Sequence, residues 1–350
     1  MSNESRVVNV SSRAKSYRTR TYLLFLWSVV CLFGGNSTSA QTVDDVVRID
    51  TSVVQLNIGV VDRQGRPITD LQRENFIVYE DGVRQSLMSF ESTTTPFSLA
   101  LLLDMSGSTL GFRQNLKFGA WRFIDPLAPE DRVAVIAFNE RTELLTNFTA
   151  DRQKIAWAIE RADGRGGTQL YEALNYTLKK FAEEGRRRKA IVVLTDGLDT
   201  NMRNLDRTTS ANVQTNEEAV AAIKPESSKA LSTVLDAADR QGVTIYPLAL
   251  PSGDLKRLPI VTPQITAIYT AARARLETLA RRTGGQLSDI RQLQDLAKTY
   301  ALVAADLRML YTISYQASGA RERDGRWRAI RVDIDRPDVI ARTRPGYYAH

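Results

Sequence analysis

At 350 residues the chain has room for about two domains of ordinary size, and its 43% hydrophobic and 25% charged residues are those of a globular protein. One cysteine, Cys31, and one histidine, His350, exclude an internal disulfide, a Cys/His zinc site and a Ser-His-Asp triad. The formal charge of +7 falls to +3 once residues 1–40 are set aside, because they hold five basic residues against Glu4; so weak a bias does not argue for nucleic acid.

Arg18 and Arg20 precede the apolar run Tyr22–Phe33, and small residues follow as far as Ala40. A basic flank, a short apolar segment and a small-residue exit describe a secretory signal over residues 1–40, cut after Ala40. The protein is then expected to be secreted or periplasmic. The run is short for a membrane span of about 20 residues, so membrane contact is expected only if the segment is retained as an anchor.

Residues 41–95 read as an N-terminal β segment. Val53–Val61 alternates apolar and polar positions, and Asp62–Pro67 carries the Gly and Pro of a turn. Phe76–Tyr79 and Gln85–Phe90 read as strands on either side of the turn Glu80-Asp-Gly82. Three strands fall short of the roughly seven a sandwich needs, so further strands are expected from elsewhere in the chain.

Over residues 96–309 strands and helices alternate. Phe97–Leu103 is apolar on both faces, as a fully buried strand would be, and it runs into Asp104. Strands are predicted at Arg132–Phe138, Glu143–Phe148, Ala190–Asp196 and Val243–Leu250. Helices are predicted at Phe112–Ile124, Arg152–Ala162, Leu170–Phe181, Ile268–Arg282 and Leu293–Met309. Repeated βα units imply the α/β class, with a doubly wound, mostly parallel sheet covered on both faces. Residues 197–227 are polar with little periodicity and are expected to be a functional or disordered loop. The basic run Arg186–Lys189 reads as a solvated helix end. Residues 310–350 form a C-terminal β segment with strands at Leu310–Tyr315, Trp327–Ile334 and Val339–Thr343. It is expected to pair with residues 41–95 in an antiparallel β module.

The candidate chemistry lies at two strand ends and one glycine turn. Asp104, Ser106 and Ser108 form Asp-x-Ser-x-Ser, Thr168 follows Gly166-Gly167, and Asp196 ends the later apolar strand. In open α/β sheets ligand sites form at the carboxyl edge, and these oxygens suit a hard divalent cation, Mg²⁺ or Mn²⁺. The bland alternative is helix capping by the aspartates or serines, with Thr168 and Glu172 close to a capping box. Five such residues in one order favour the metal. Asp163 and Asp199 match no ligand position and read as loop residues; Tyr171 and Leu198 are placed on the rim.

This set resembles the metal-ion-dependent adhesion site of the von Willebrand factor type A (VWA) domain family, over about residues 96–309. The resemblance implies that Ser106, Ser108 and Thr168 bind the cation directly and that Asp104 and Asp196 bind it directly or through water. It also implies a sixth position open to an Asp or Glu carboxylate of a protein partner. The wider arrangement, with Phe76-Ile-Val-Tyr-Glu-Asp-Gly82 and the closing Gly346-Tyr347, resembles secreted VWA-domain proteins of Acidobacteria. The implied function is divalent-cation-dependent protein binding or adhesion at the cell envelope or exterior, without catalysis, organic cofactor or nucleic acid. Two alternatives stay open. One is a metal-assisted hydrolase, although no general base or Walker loop accompanies the ligands. The other is a structural envelope component whose metal site is vacant.

Overall fold

The computed structural model describes residues 53–185, 187–292, 295–317 and 324–349; the predicted leader and its Ala40 cut lie outside them. Four strands come first: β1 (Val53–Asp62), β2 (Phe76–Glu80), β3 (Val83–Gln85) and β4 (Leu87–Glu91). The run 85–90 is therefore not one strand. The chain breaks at Ser86, and β3 and β4 enter different sheets. Next come β5 (Phe97–Asp104), α1 (Arg113–Ile124), β6 (Arg132–Phe138), β7 (Thr142–Thr149), α2 (Arg152–Arg161), α3 (Leu170–Lys180) and β8 (Arg188–Thr195). Helices α4 (Thr200–Thr209), α5 (Asn216–Ala222) and α6 (Lys229–Gln241) lead to β9 (Val243–Ala249), α7 (Pro263–Thr283), β10 (Ser288–Asp289) and α8 (Leu296–Arg308). The chain then runs through β11 (Leu310–Gln316), β12 (Trp327–Ile334), β13 (Val339–Arg342) and β14 (Gly346–Tyr348).

The central sheet has the order β10-β9-β8-β5-β6-β7 and is parallel except for β7. Every residue of β5 is buried, which is why its sequence shows no polar face. Leu116 of α1, Ile155 of α2 and Leu296 of α8 pack on one side of the sheet. Leu174 of α3, Leu231 of α6 and Leu276 of α7 pack on the other. This is the α/β architecture that the alternation of elements implies.

The remaining strands form two antiparallel sheets, β13-β1-β11-β4 and β14-β12-β2-β3. They share a core that includes Leu56, Ile58, Val78, Ile313 and Tyr315. Each sheet draws on both ends of the chain: β1 pairs with β11 and β13, and β2 pairs with β12. Neither terminal segment could cover its own apolar face, so the sandwich closes only when the two combine. Glu80 is buried within it, accepting hydrogen bonds from Tyr315 Oη at 2.8 Å and Tyr347 Oη at 3.0 Å. Those donors offset the cost of burying a polar side chain.

Two expectations fail. Residues 197–227 are largely helical rather than a loop. Asp199 caps α4, its Oδ1 accepting from Met202 N at 3.0 Å, and Thr215 caps α5. The one buried residue of α4 is Asp206, which holds Arg275 of α7 through two hydrogen bonds of 2.7 and 2.6 Å. A charge pair pins this helix, so no apolar stripe announces it.

The basic run is not a solvated helix end either. Arg188 and Lys189 begin β8 and are buried; Arg186 lies outside the described residues. The Arg188 guanidinium donates to the carbonyls of Leu310 (2.6 Å), Thr93 (3.0 Å), Leu307 (3.2 Å) and Thr95. Burial pushes its pKa down to about 10. Those carbonyls belong to the two passages between sandwich and central sheet, so one side chain clips entry and exit together.

Candidate metal centre

Three loops meet at the carboxyl edge of β5 and β8, and each pair of loops is joined by at least one hydrogen bond. The first loop follows Asp104, whose side chain is fully buried. Its Oδ1 accepts from Ser106 N at 3.0 Å and its Oδ2 from Thr195 Oγ1 at 2.8 Å. Neither donor carries a charge. Burial, and then the charge of Asp196, push the Asp104 pKa up to about 7. Ser106 Oγ and Ser108 Oγ lie 3.2 Å apart, the first buried and the second exposed.

The second loop carries the glycine turn. Gly107 N donates to Gly166 O at 2.9 Å, joining it to the serine loop. Gly166 has φ +86°, a conformation that favours glycine. Thr168 is fixed through its backbone: its N donates to Thr200 Oγ1 at 2.9 Å, and Thr200 N donates to its carbonyl at 2.8 Å. Thr168 is buried as a residue, and its hydroxyl makes no hydrogen bond among the described residues. The third loop follows β8. Asp196 Oδ1 accepts from Leu198 N at 3.1 Å, and Oδ2 from Ser252 Oγ at 3.2 Å.

The capping alternative finds little support. Helix α3 begins after Gln169 with no side-chain cap, and the 3₁₀ turn after Ser106 has none. Asp199, read from sequence as a loop residue, is the residue that caps α4. Asp163 is also engaged, pairing with Arg113, which donates to Met105 O at 2.9 Å and so fastens the serine loop. Tyr171 does not reach the rim. It is a buried residue of the first turn of α3, and burial raises its phenol pKa. Leu198 is half-buried.

Four positioning residues escaped the sequence reading: Arg113, Glu140, Thr195 and Ser252. Glu140 Oε1 accepts from Gly167 N at 2.9 Å and steadies the glycine turn. Only Thr195 stood beside a motif residue, where its hydroxyl gave a signal.

A buried carboxyl group whose pKa is raised by burial beside a second carboxylate, and a threonine hydroxyl with no hydrogen bond among the described residues, both fit a divalent cation, which would balance the one and use the other. Among the described residues no group of three or more His, Cys, Asp or Glu side chains forms. An ion held here therefore draws on hydroxyl oxygens as well as on Asp104 and Asp196. Among the described residues no helix is long and apolar enough to cross a membrane.

Residues 99–198 match the family model of the von Willebrand factor type A domain, the family whose resemblance the sequence carries. An uncharacterized protein of Synechocystis sp. is 38% identical over 106 residues, covering 29% of this chain and 25% of that relative's length. The chain thus spans only a quarter of the relative it matches. Among solved structures, the vWF domain of the type V pili tip protein Mfa5 from Porphyromonas gingivalis has a TM-score of 0.46 at 14% identity, over 62% of this chain and 96% of that one. A von Willebrand factor type A structure from Catenulispora acidiphila has a TM-score of 0.45 at 15% identity, over 87% of this chain and 64% of that one.

Proposed function

We propose that the region matching the von Willebrand factor type A domain is a divalent-cation-dependent protein-binding module, with Asp104, Ser106, Ser108, Thr168 and Asp196 holding Mg²⁺ or Mn²⁺. The observation that carries this reading is the mutual anchoring of three loops around two carboxylates whose uncharged donors leave their charge unbalanced. Hard oxygen donors select hard ions over those that prefer thiolate or imidazole. A bound ion would offer a coordination position to an Asp or Glu of a partner. The chain's own residues do the rest: Thr195 and Ser106 aim the Asp104 carboxylate, Ser252 and Leu198 aim that of Asp196, and the Gly107–Gly166 bond keeps Thr168 opposite the serines.

Mg²⁺ or Mn²⁺ should raise the melting temperature, and a chelator should reverse the rise. At a hundred times the dissociation constant, one site adds about 2.7 kcal/mol of stability. Calorimetric titration should give a single site for each ion. Absence of both binding heat and a melting shift for both ions would remove the reading.

We also place the protein outside the cytoplasm, on the basis of the apolar run Tyr22–Phe33 and the small residues up to Ala40. Sequencing the N-terminus of protein recovered from the cell exterior or periplasm should find Gln41 first. An intact Met1 on protein confined to the cytoplasm would reject this placement.

A further inference from the structure

A cleft of about 740 Å³ opens beside Asp196 on the same sheet edge, between the loop after β9, the middle of α7 and residues 289–291. Asp196 and Tyr269 both line it, so the cleft is continuous with the candidate metal centre. Four basic side chains also line it: Lys256, Arg257, Arg273 and Arg291.

Their surroundings separate them. Arg273 is committed to Asp289 by two hydrogen bonds, one of 2.9 Å. Asp254 turns back on its own chain, its Oδ1 accepting from Lys256 N at 3.0 Å. Lys256, Arg257 and Arg291 are exposed and form no ion pair among the described residues. Arg257 donates to the Arg291 carbonyl at 2.5 Å, which keeps two of these residues side by side. Against the carboxylates of Asp254 and Asp196 in the same lining, the three cations leave a positive excess, and an anion seated among them would lower their mutual repulsion. Further along the same loop, Ile260 and Val261 stand 71% and 49% exposed.

We infer that this cleft is a second subsite for the partner: one carboxylate reaches the ion at Asp104 and Asp196, and a nearby acidic side chain of the same peptide segment lies against Lys256, Arg257 and Arg291. The occupant is thus an acidic stretch of polypeptide rather than a single exposed Asp or Glu. The inference rests on the cation reading above, because the first carboxylate needs the ion.

The probes are a fluorescein-labelled oligoglutamate peptide and N-acetylglutamate amide, followed by anisotropy and competition in Mg²⁺ and in EDTA. The wild-type protein should bind the oligoglutamate in Mg²⁺, and the single-carboxylate amide should compete far more weakly. The triple variant Lys256→Gln/Arg257→Gln/Arg291→Gln should lose about tenfold in peptide affinity while keeping the wild-type melting shift with Mg²⁺. Equal peptide binding by variant and wild type, or none by either, overturns the inference. Equal binding in Mg²⁺ and EDTA overturns the bridging of ion and cleft, as does a heparin fragment binding without Mg²⁺ where the peptide does not. A missing Mg²⁺ melting shift in the wild type instead locates the failure in the cation reading.

Discussion

Asp104→Asn is expected to abolish the Mg²⁺-induced rise in melting temperature while leaving the protein folded. Asparagine keeps the side-chain shape, and its amide oxygen still accepts one of the bonds now made by Ser106 N and Thr195 Oγ1. What disappears is one of the two carboxylates proposed to hold the ion, so binding should fall steeply. The cation-free protein should respond in the opposite sense. The folded-state pKa of Asp104 stands at about 7, above the unfolded value near 3.9. The folded chain keeps a proton that the unfolded chain gives up, so the stability this group contributes is full below about pH 4 and is lost as pH rises through about 7. Across that window the cation-free wild type should lose up to roughly 4 kcal/mol, and the variant should show no such slope. Urea unfolding in EDTA on either side of the window measures both. A retained melting shift with Mg²⁺ in the variant would take Asp104 out of the centre.

Arg188→Met is expected to be the most damaging substitution away from the site, costing several kcal/mol at about 1–3 kcal/mol for each buried carbonyl left without a donor. The methionine fills part of the volume but leaves the carbonyls of Thr93, Thr95, Leu307 and Leu310 without their shared donor in a buried place, and buried unpartnered carbonyls are costly. Arg188→Lys should rescue little, because one ammonium cannot reproduce the planar fork that reaches both passages. Chemical denaturation gives the stability, and limited proteolysis near residues 92–96 shows whether the passage opens first. Wild-type stability in Arg188→Met would show that the clip carries no weight.

The parts of this fold that the sequence announces are those buried on two faces. Phe97–Leu103 and Ala190–Leu194 read as strands because burial from both sides left them no polar residue. The aspartates at their ends could be paired as one site because parallel strands deliver their carboxyl ends to the same edge. Helix α4 was illegible for the converse reason: Asp206 anchors it through an ion pair with Arg275, and charge in a polar stretch looks like solvent exposure. Arg188 misled in the same way, since four carbonyl acceptors leave no mark on a sequence. Helix α6 went unassigned although Leu231, Val234, Leu235 and Ala238 carry helical spacing; the polar residues before it masked its start. Around the candidate centre the proposed ligands sit in motifs, but their supports act across distant loops. Ser252, for example, reaches Asp196 across 56 positions of chain.

The Arg188 clip has a mechanical corollary. It lies at the amino ends of the parallel strands, together with the bonds from Asn57 to Gly242 O (3.1 Å) and Thr244 Oγ1 (3.0 Å) and from Arg344 to Asp239 Oδ1 (2.8 Å). Partner contact at the opposite edge would therefore send any pull lengthwise down β5, which is flanked on both sides by parallel neighbours in continuous register. Tension along that line shears all of those backbone bonds at once instead of peeling them apart singly, which is the loading geometry a hydrogen-bonded sheet resists best.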